Sequence, residues 1–162
     1  MAEEIPSQDN GQSDKKIQHR NLWPVFGRID TQAKASRVFW NFEQFCWLNI
    51  GCSGVFAYNA IVASHSLSAG EARPLQNLAI GIMAVALITV AASFVLRKFK
   101  SRTLSLLILS WCAGWFAPAI ISFGSWSSWP FLTLIHGLVF WASVRTVEAV
   151  FKLHGKFTFK SW

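Results

Sequence analysis

Charge is scarce in this sequence. Asp, Glu, Lys and Arg make up only 14% of its 162 residues, while 52% are hydrophobic; a soluble domain usually carries about 25% charged residues. With a mean hydropathy of +0.34, that shortage points away from an ordinary water-soluble globule and towards lipid as the main solvent. Cysteine is sparse as well. The three cysteines, Cys46, Cys52 and Cys112, all fall inside apolar segments, with no CxxC and no Cys/His grouping at zinc spacing. They read as small buried residues at helix contacts. The chain also lacks a Ser-His-Asp order, an HExxH, a Walker loop and a dinucleotide-binding glycine motif, so it is not read as an enzyme. Acidic residues are outnumbered eight to fifteen, for a net charge of +7. The basic residues flank apolar runs and form no array with exposed aromatics. The partners they imply are the bilayer and its anionic lipids at the cytoplasmic face, not nucleic acid.

What is present is four long apolar runs. Spans are predicted over about 38–64, 76–96, 103–123 and 129–149. Each is long enough, at 1.5 Å per residue, to cross a hydrocarbon core of ~30 Å. They are far longer than the ~10-residue alternating segments of a membrane barrel. The expected fold is therefore all-α: an antiparallel bundle of four transmembrane helices spanning 38–149. Residues 1–21 are polar, of mixed charge and without apolar period, and read as a disordered cytoplasmic terminus. They do not form a signal peptide, and the first apolar segment is too long for one, so it is expected to stay as an anchor. Residues 22–37 mix Leu22, Trp23, Val25, Phe26 and Ile29 with Arg28 and Lys34, which suits a segment in the headgroup region. Residues 150–162 alternate basic and aromatic residues and form a cytoplasmic tail.

Lysine and arginine orient the spans. The segment before the first span carries six of them and the connection between the second and third carries Arg97, Lys98, Lys100 and Arg102. The C-terminal end carries Arg145, Lys152, Lys156 and Lys160, whereas the other two connections together carry only Arg73. The positive-inside rule then places both termini in the cytoplasm of a bacterial inner membrane or a eukaryotic endomembrane. Trp40 falls at the inner boundary, and Trp126 and Trp129 at the outer one. Small residues mark expected helix contacts: Gly51, Ser53, Gly54 and Ala57 in the first span, Ser110, Ala113, Gly114 and Ala117 on one face of the third. Pro118 is expected to kink the third span.

Few residues in the spans can carry chemistry. Glu43 is the one carboxylate well inside a predicted span, where a charge must pair, protonate or meet water. It is a candidate proton- or cation-coupling site, or half of an ion pair with Arg145, which falls at nearly the same depth of the fourth span. His136, Trp111, Trp115 and Asn49 are candidate pocket residues. His136 and Arg145 are nine apart, so they face opposite sides of one helix. His65 and His136 are the two histidines that a bis-His haem b would need, although no cofactor is the leading expectation. Three functional readings follow. The first is an interaction protein: an accessory or assembly subunit of a larger membrane complex, or a partner-binding protein, associating with other subunits or with itself. The second is a small oligomeric proton- or cation-coupled transporter or channel built on Glu43. Small multidrug transporters share its four-span layout and a carboxylate in the first span, but none of their motif residues is matched here. The third is a haem-binding redox protein.

Overall fold

In a computed structural model of the chain, residues 26–121 and 130–155 are described, side chains at 118–121 and 130 excepted. The predicted N-terminal disorder, the 124–128 turn with Trp126 and Trp129, the side chain of Pro118 and the tail beyond residue 155 lie outside the described residues. Those residues form four helices: α1 (Gln32–Ser64), α2 (Ala69–Phe99), α3 (Arg102–Ile121) and α4 (Pro130–His154). Three of them, α1, α2 and α4, are long and apolar enough to cross a membrane; α3 is shorter.

The helices outrun the predicted spans because their caps lie beyond the apolar runs. Thr31 opens α1: its hydroxyl accepts the Lys34 backbone N–H at 3.2 Å, satisfying one of the four orphan donors of a helix start. The first six residues of α1 belong to what the sequence suggested was an interfacial segment. Beside this cap, Lys34 bonds Asp30 at 2.8 Å and holds its carboxyl below the usual carboxylate range. The tie is therefore present at neutral pH and lost as the pH falls through that lowered value.

The first connection is four residues long, His65–Ser68, where the sequence suggested eleven. Ser-Ala-Gly-Glu at 68–71 is a capping-box pattern, and Ser68 Oγ donates to Glu71 Oε2 at 2.8 Å. Pro74 lies inside α2 without ending it. At the other end of α2, Lys100 adopts the left-handed conformation (φ 49°) and its N–H bonds the Leu96 carbonyl at 2.7 Å, which closes the helix. Ser101 then opens α3, with its hydroxyl and carbonyl accepting the N–H groups of Leu104 and Ser105.

Each helix has its own set of neighbours. α1 is central, packing along α2 on one side and α4 on the other; α4 in turn packs on α3, while α2 and α3 touch only sparsely. The main core gathers Val38, Phe39, Phe42 and Cys46 of α1 with Val90 and Leu96 of α2, Ile108 and Cys112 of α3, and Val139, Ala142 and Val150 of α4. A second cluster, Phe56, Ala57, Ala60, Ala79 and Leu132, fills the other end. Ile29, in the segment before α1, is 1% exposed and belongs to the main core. Lys152 donates to the Ile29 carbonyl at 2.9 Å and Arg145 donates to the Gly27 carbonyl. The segment 26–31 is thus strapped onto α4.

The small-residue faces are used differently from expectation. Ser53 and Ala57 are buried, but Gly51 faces outward with no atom near its open side. On α3 most of the predicted contact face turns out: Ser110, Gly114 and Ala117 are exposed and Ala113 is half-buried, and the helix packs through Ser105, Ile108, Cys112 and Phe116. Large side chains fill the α3–α4 seam better than a small-residue face would. The ring of Phe116 stacks on Phe140 at 5.2 Å and lies over Gly137.

Gly137 is where a side chain would collide: an added Cβ would sit 3.2 Å from the Phe116 ring, whereas at Gly81 nothing lies within 4 Å. Gly137→Leu should therefore lower thermal stability in detergent by about 1–3 kcal/mol through overpacking, with Gly81→Ala neutral or slightly stabilising. Equal effects of the two substitutions would contradict this α3–α4 seam.

Candidate functional site

Two polar constellations lie between the helices. The first is the ion pair of Glu43. Its carboxylate, 8% exposed, accepts Arg97 Nη1 at 2.6 Å; the Arg97 side chain is 49% exposed. This corrects the expected partner: Glu43 of α1 pairs with Arg97 of α2, while Arg145 bonds Glu148 on its own helix and the strap at Gly27. The reason is the short first connection, which fixes how α1 and α2 face each other. Gln76 Nε2 donates to Ser64 Oγ at 2.9 Å. The path back along α1 from Ser64 to Glu43 equals the path forward along α2 from Gln76 to Arg97. Each path is close to six whole turns, so both ties lie on the same pair of helix faces. Arg97 reads from the sequence only as a topology signal because it follows the apolar run; its long side chain reaches back to the carboxylate.

The second constellation is a small cavity lined from all four helices: Asn49 of α1, Val85 and Thr89 of α2, Trp111, Cys112 and Trp115 of α3, and His136 and Val139 of α4. It is a shallow, partly open space of about 250 Å³, counting its mouth, with room inside for about one water-sized group. The structure brings Asn49, Trp111, Trp115 and His136, all singled out from the sequence, around this one space. Trp111 and Trp115 meet edge to face at 6.0 Å. The Trp111 indole N–H donates to Thr89 Oγ1 at 3.1 Å, and that hydroxyl donates to the Val85 carbonyl at 2.8 Å. Thr89 and Val85 were not identified from the sequence; a threonine in an otherwise apolar run offers little to distinguish it. His136 Nδ1 lies 2.8 Å from the Leu132 carbonyl. A carbonyl only accepts, so Nδ1 carries the proton. Asn49 is 2% exposed, and its Oδ1 has no hydrogen-bond partner among the described residues.

The two histidines named for haem do not converge. His136 lines the cavity together with Asn49, whereas His65 is the exposed C-cap of α1, about 24 Å of helical rise beyond Asn49. One iron cannot take both as axial ligands in this arrangement. Among the described residues no three His, Cys, Asp or Glu side chains gather as a metal site.

Comparison of the chain with known protein families, with characterised proteins and with solved structures finds no match. The reading of the site rests on its own geometry.

The ion pair is asymmetric, so its two halves should respond differently. Arg97→Ala strands a buried carboxylate and should lower thermal stability by about 1–3 kcal/mol. Glu43→Gln should cost less, because the half-exposed Arg97 can turn to headgroups. The double variant should lose less than the sum of the single ones. Thermal unfolding of the four proteins in one detergent checks this; simple additivity would mean that the pair contributes nothing.

Proposed function

We propose that this chain is a multi-pass membrane protein with four crossings in an antiparallel bundle and both ends in the cytoplasm. We further propose that it acts by interaction, as an accessory or assembly subunit that docks a transmembrane helix of another subunit. The observation that carries this reading is the outward small-residue face of α3: Ser110, Gly114 and Ala117 are exposed, and no described atom lies within 4 Å of the open side of Gly114. In a bilayer, small residues let helix backbones approach closely and are enriched at contacts. A face of that kind turned to lipid is a contact face without its neighbour. The outer stripe of α1 supports the same reading. Trp40, Gln44, Gly51, Val55, Tyr58 and Val62 recur at helical spacing and all are exposed, Tyr58 at 69%. Its hydroxyl needs a hydrogen-bond partner that hydrocarbon cannot give.

The orientation is supported by charge. Nine of the ten described Lys and Arg residues fall at or just before the start of α1, at the α2–α3 turn or in the C-terminal half of α4; only Arg73 lies at the other end. Contacts gather those three regions: Arg97 with Glu43, Arg102 over the Phe151 ring at 5.2 Å, Lys152 with Ile29. The positive-inside rule assigns that end to the cytoplasm.

Gly114→Leu should leave thermal stability unchanged but break the assembly, whereas Ala84→Leu on the outer face of α2 should leave the assembly intact. The measurement is mass by light scattering after gentle solubilisation from the native membrane, with identification of what copurifies. Wild-type protein emerging as a lone 18.2 kDa chain would refute the reading. Orientation has its own test. In a cysteine-free background, Ser66→Cys should react with an impermeant maleimide on intact cells, and Ser101→Cys only after permeabilisation; the reverse pattern would invert the topology.

A further inference from the structure

The four-helix cavity has an uneven supply of hydrogen-bonding groups. Asn49 Oδ1 is buried without a donor among the described residues. The Leu132 carbonyl takes the Nδ1–H of His136, which leaves Nε2 as the ring atom able to accept. The Trp111 N–H is spent on Thr89, and the Thr89 hydroxyl on Val85. Cys112 and Trp115 also line the space with a thiol and an indole N–H, yet among the described residues no group donates to Asn49 Oδ1, and His136 adds a second acceptor. Asn41 and Ser53 are also buried with unpartnered polar atoms, but neither lines this space.

The cavity also has a way in from lipid. α2 and α3 touch only sparsely, and the tryptophans that wall the cavity, Trp111 and Trp115, are 36% and 40% exposed. Its wall is thus part of the bundle's outer surface. Depth narrows the ligand class. Asn49 lies six residues beyond Glu43 and Thr89 eight before Arg97, about 9–12 Å from the charged end. Phospholipid headgroups do not sit that far into hydrocarbon. The space takes about one water-sized group, so the rest of a ligand must lie outside it, against the two indoles.

We infer that this cavity binds the hydroxyl end of a lipid-soluble alcohol or phenol, which enters between α2 and α3, shares its O–H between the acceptors Asn49 Oδ1 and His136 Nε2, and lays its apolar body against Trp111 and Trp115. An O–H is the smallest donor that a hydrophobic molecule can carry to that depth. It satisfies an acceptor whose burial without a partner is costly. The inference is independent of the proposed docking face: the cavity is lined by Trp111 and Trp115, whereas the docking face is Ser110, Gly114 and Ala117.

The test uses the purified full chain in detergent micelles, a dibrominated fatty alcohol and its methyl ether, with tryptophan fluorescence as readout. Bromine quenches the indoles that it approaches, and the ether partitions like the alcohol but cannot donate. The expected result is a saturable quenching component for the alcohol, absent for the ether. Asn49→Leu should weaken it about tenfold, the loss of one buried hydrogen bond, and should not lower thermal stability, since it removes an unsatisfied group. His136→Phe should weaken it similarly. Trp115→Phe should reduce its amplitude at unchanged midpoint. Equal, non-saturating quenching by alcohol and ether would overturn the inference and leave water as the cavity's occupant. A saturable alcohol signal that survives both Asn49→Leu and His136→Phe would overturn it too, by placing the alcohol elsewhere.

Discussion

The register of the α1–α2 hairpin governs the rest of the molecule. It is held by two side-chain ties on one pair of helix faces, Gln76 to Ser64 and Arg97 to Glu43. The ties are separated by the same interval on each helix, about 31 Å of rise, close to the thickness of a hydrocarbon core. Glu43, the only carboxylate buried between α1 and α2 among the described residues, thus lies at the edge of this interval, where its arginine can reach both it and the headgroups. A pair placed in the middle would have to be desolvated on both sides. Here only Glu43 is buried. Between the two ties buried polar groups are few: Thr89 and Ser93 bond carbonyls of their own helix, while Asn49 Oδ1 and Ser53 Oγ have no partner among the described residues.

The same register leaves the first eleven residues of α1 beyond the Glu43–Arg97 pair, a projection of about 16 Å. This part is not loose. Val38, Phe39 and Phe42 are buried with Ala149 and Val150 of α4, and Ile29 enters the same core. Arg145, Glu148 and Lys152 then have a shared job. Lys152 pairs with Glu148 at 2.5 Å and bonds the Ile29 carbonyl; Arg145 pairs with the same carboxylate and bonds the Gly27 carbonyl. One acidic residue thereby aligns two cations whose other N–H groups clamp the segment 26–31. The opposed faces of His136 and Arg145, visible from their spacing of nine, acquire a meaning: one faces the four-helix cavity and the other the strap.

How much of this was legible depended on the kind of signal. Apolar runs announced the four helices, because continuous hydrophobicity over about 20 residues suits a membrane-crossing helix and little else. Helix ends were missed where capping chemistry lay outside the runs: Thr31 before α1, and the Ser68–Glu71 pair before α2. Arg145 was one candidate partner for Glu43, and depth alone does not distinguish it from Arg97, which makes the pair. The choice came from the connection length, and a four-residue turn fixes α2, not α4, opposite that face. The face of α3 was read inside out, because small residues signal a contact without saying whether the neighbour belongs to the same chain. The cavity residues fared differently. Asn49, Trp111, Trp115 and His136 stood out as polar or amphipathic groups in apolar spans, and such groups need partners wherever they lie. That need draws Asn49 and His136 inward, while Trp111 and Trp115 stand at the surface beside them.

The sparse α2–α3 contact follows from this arrangement as well. α1 occupies the centre of the bundle, with α2 and α4 along its two sides, and α3 reaches the rest mainly through α4. The turn at Lys100–Ser101 ties α3 to the end of α2, and the Trp111–Thr89 bond joins them once more along their length. Mainly aromatic and hydroxyl contact therefore holds this side of the ring, where the other sides are packed along their length. A bundle of four helices with uneven seams parts first at the weakest one. That seam adjoins the cavity, and Trp111 and Trp115 stand beside it. The orphaned acceptor of Asn49 sits behind the seam that is easiest to open, so the group most in need of a donor is also the one a molecule dissolved in the bilayer can reach with least disturbance of the core.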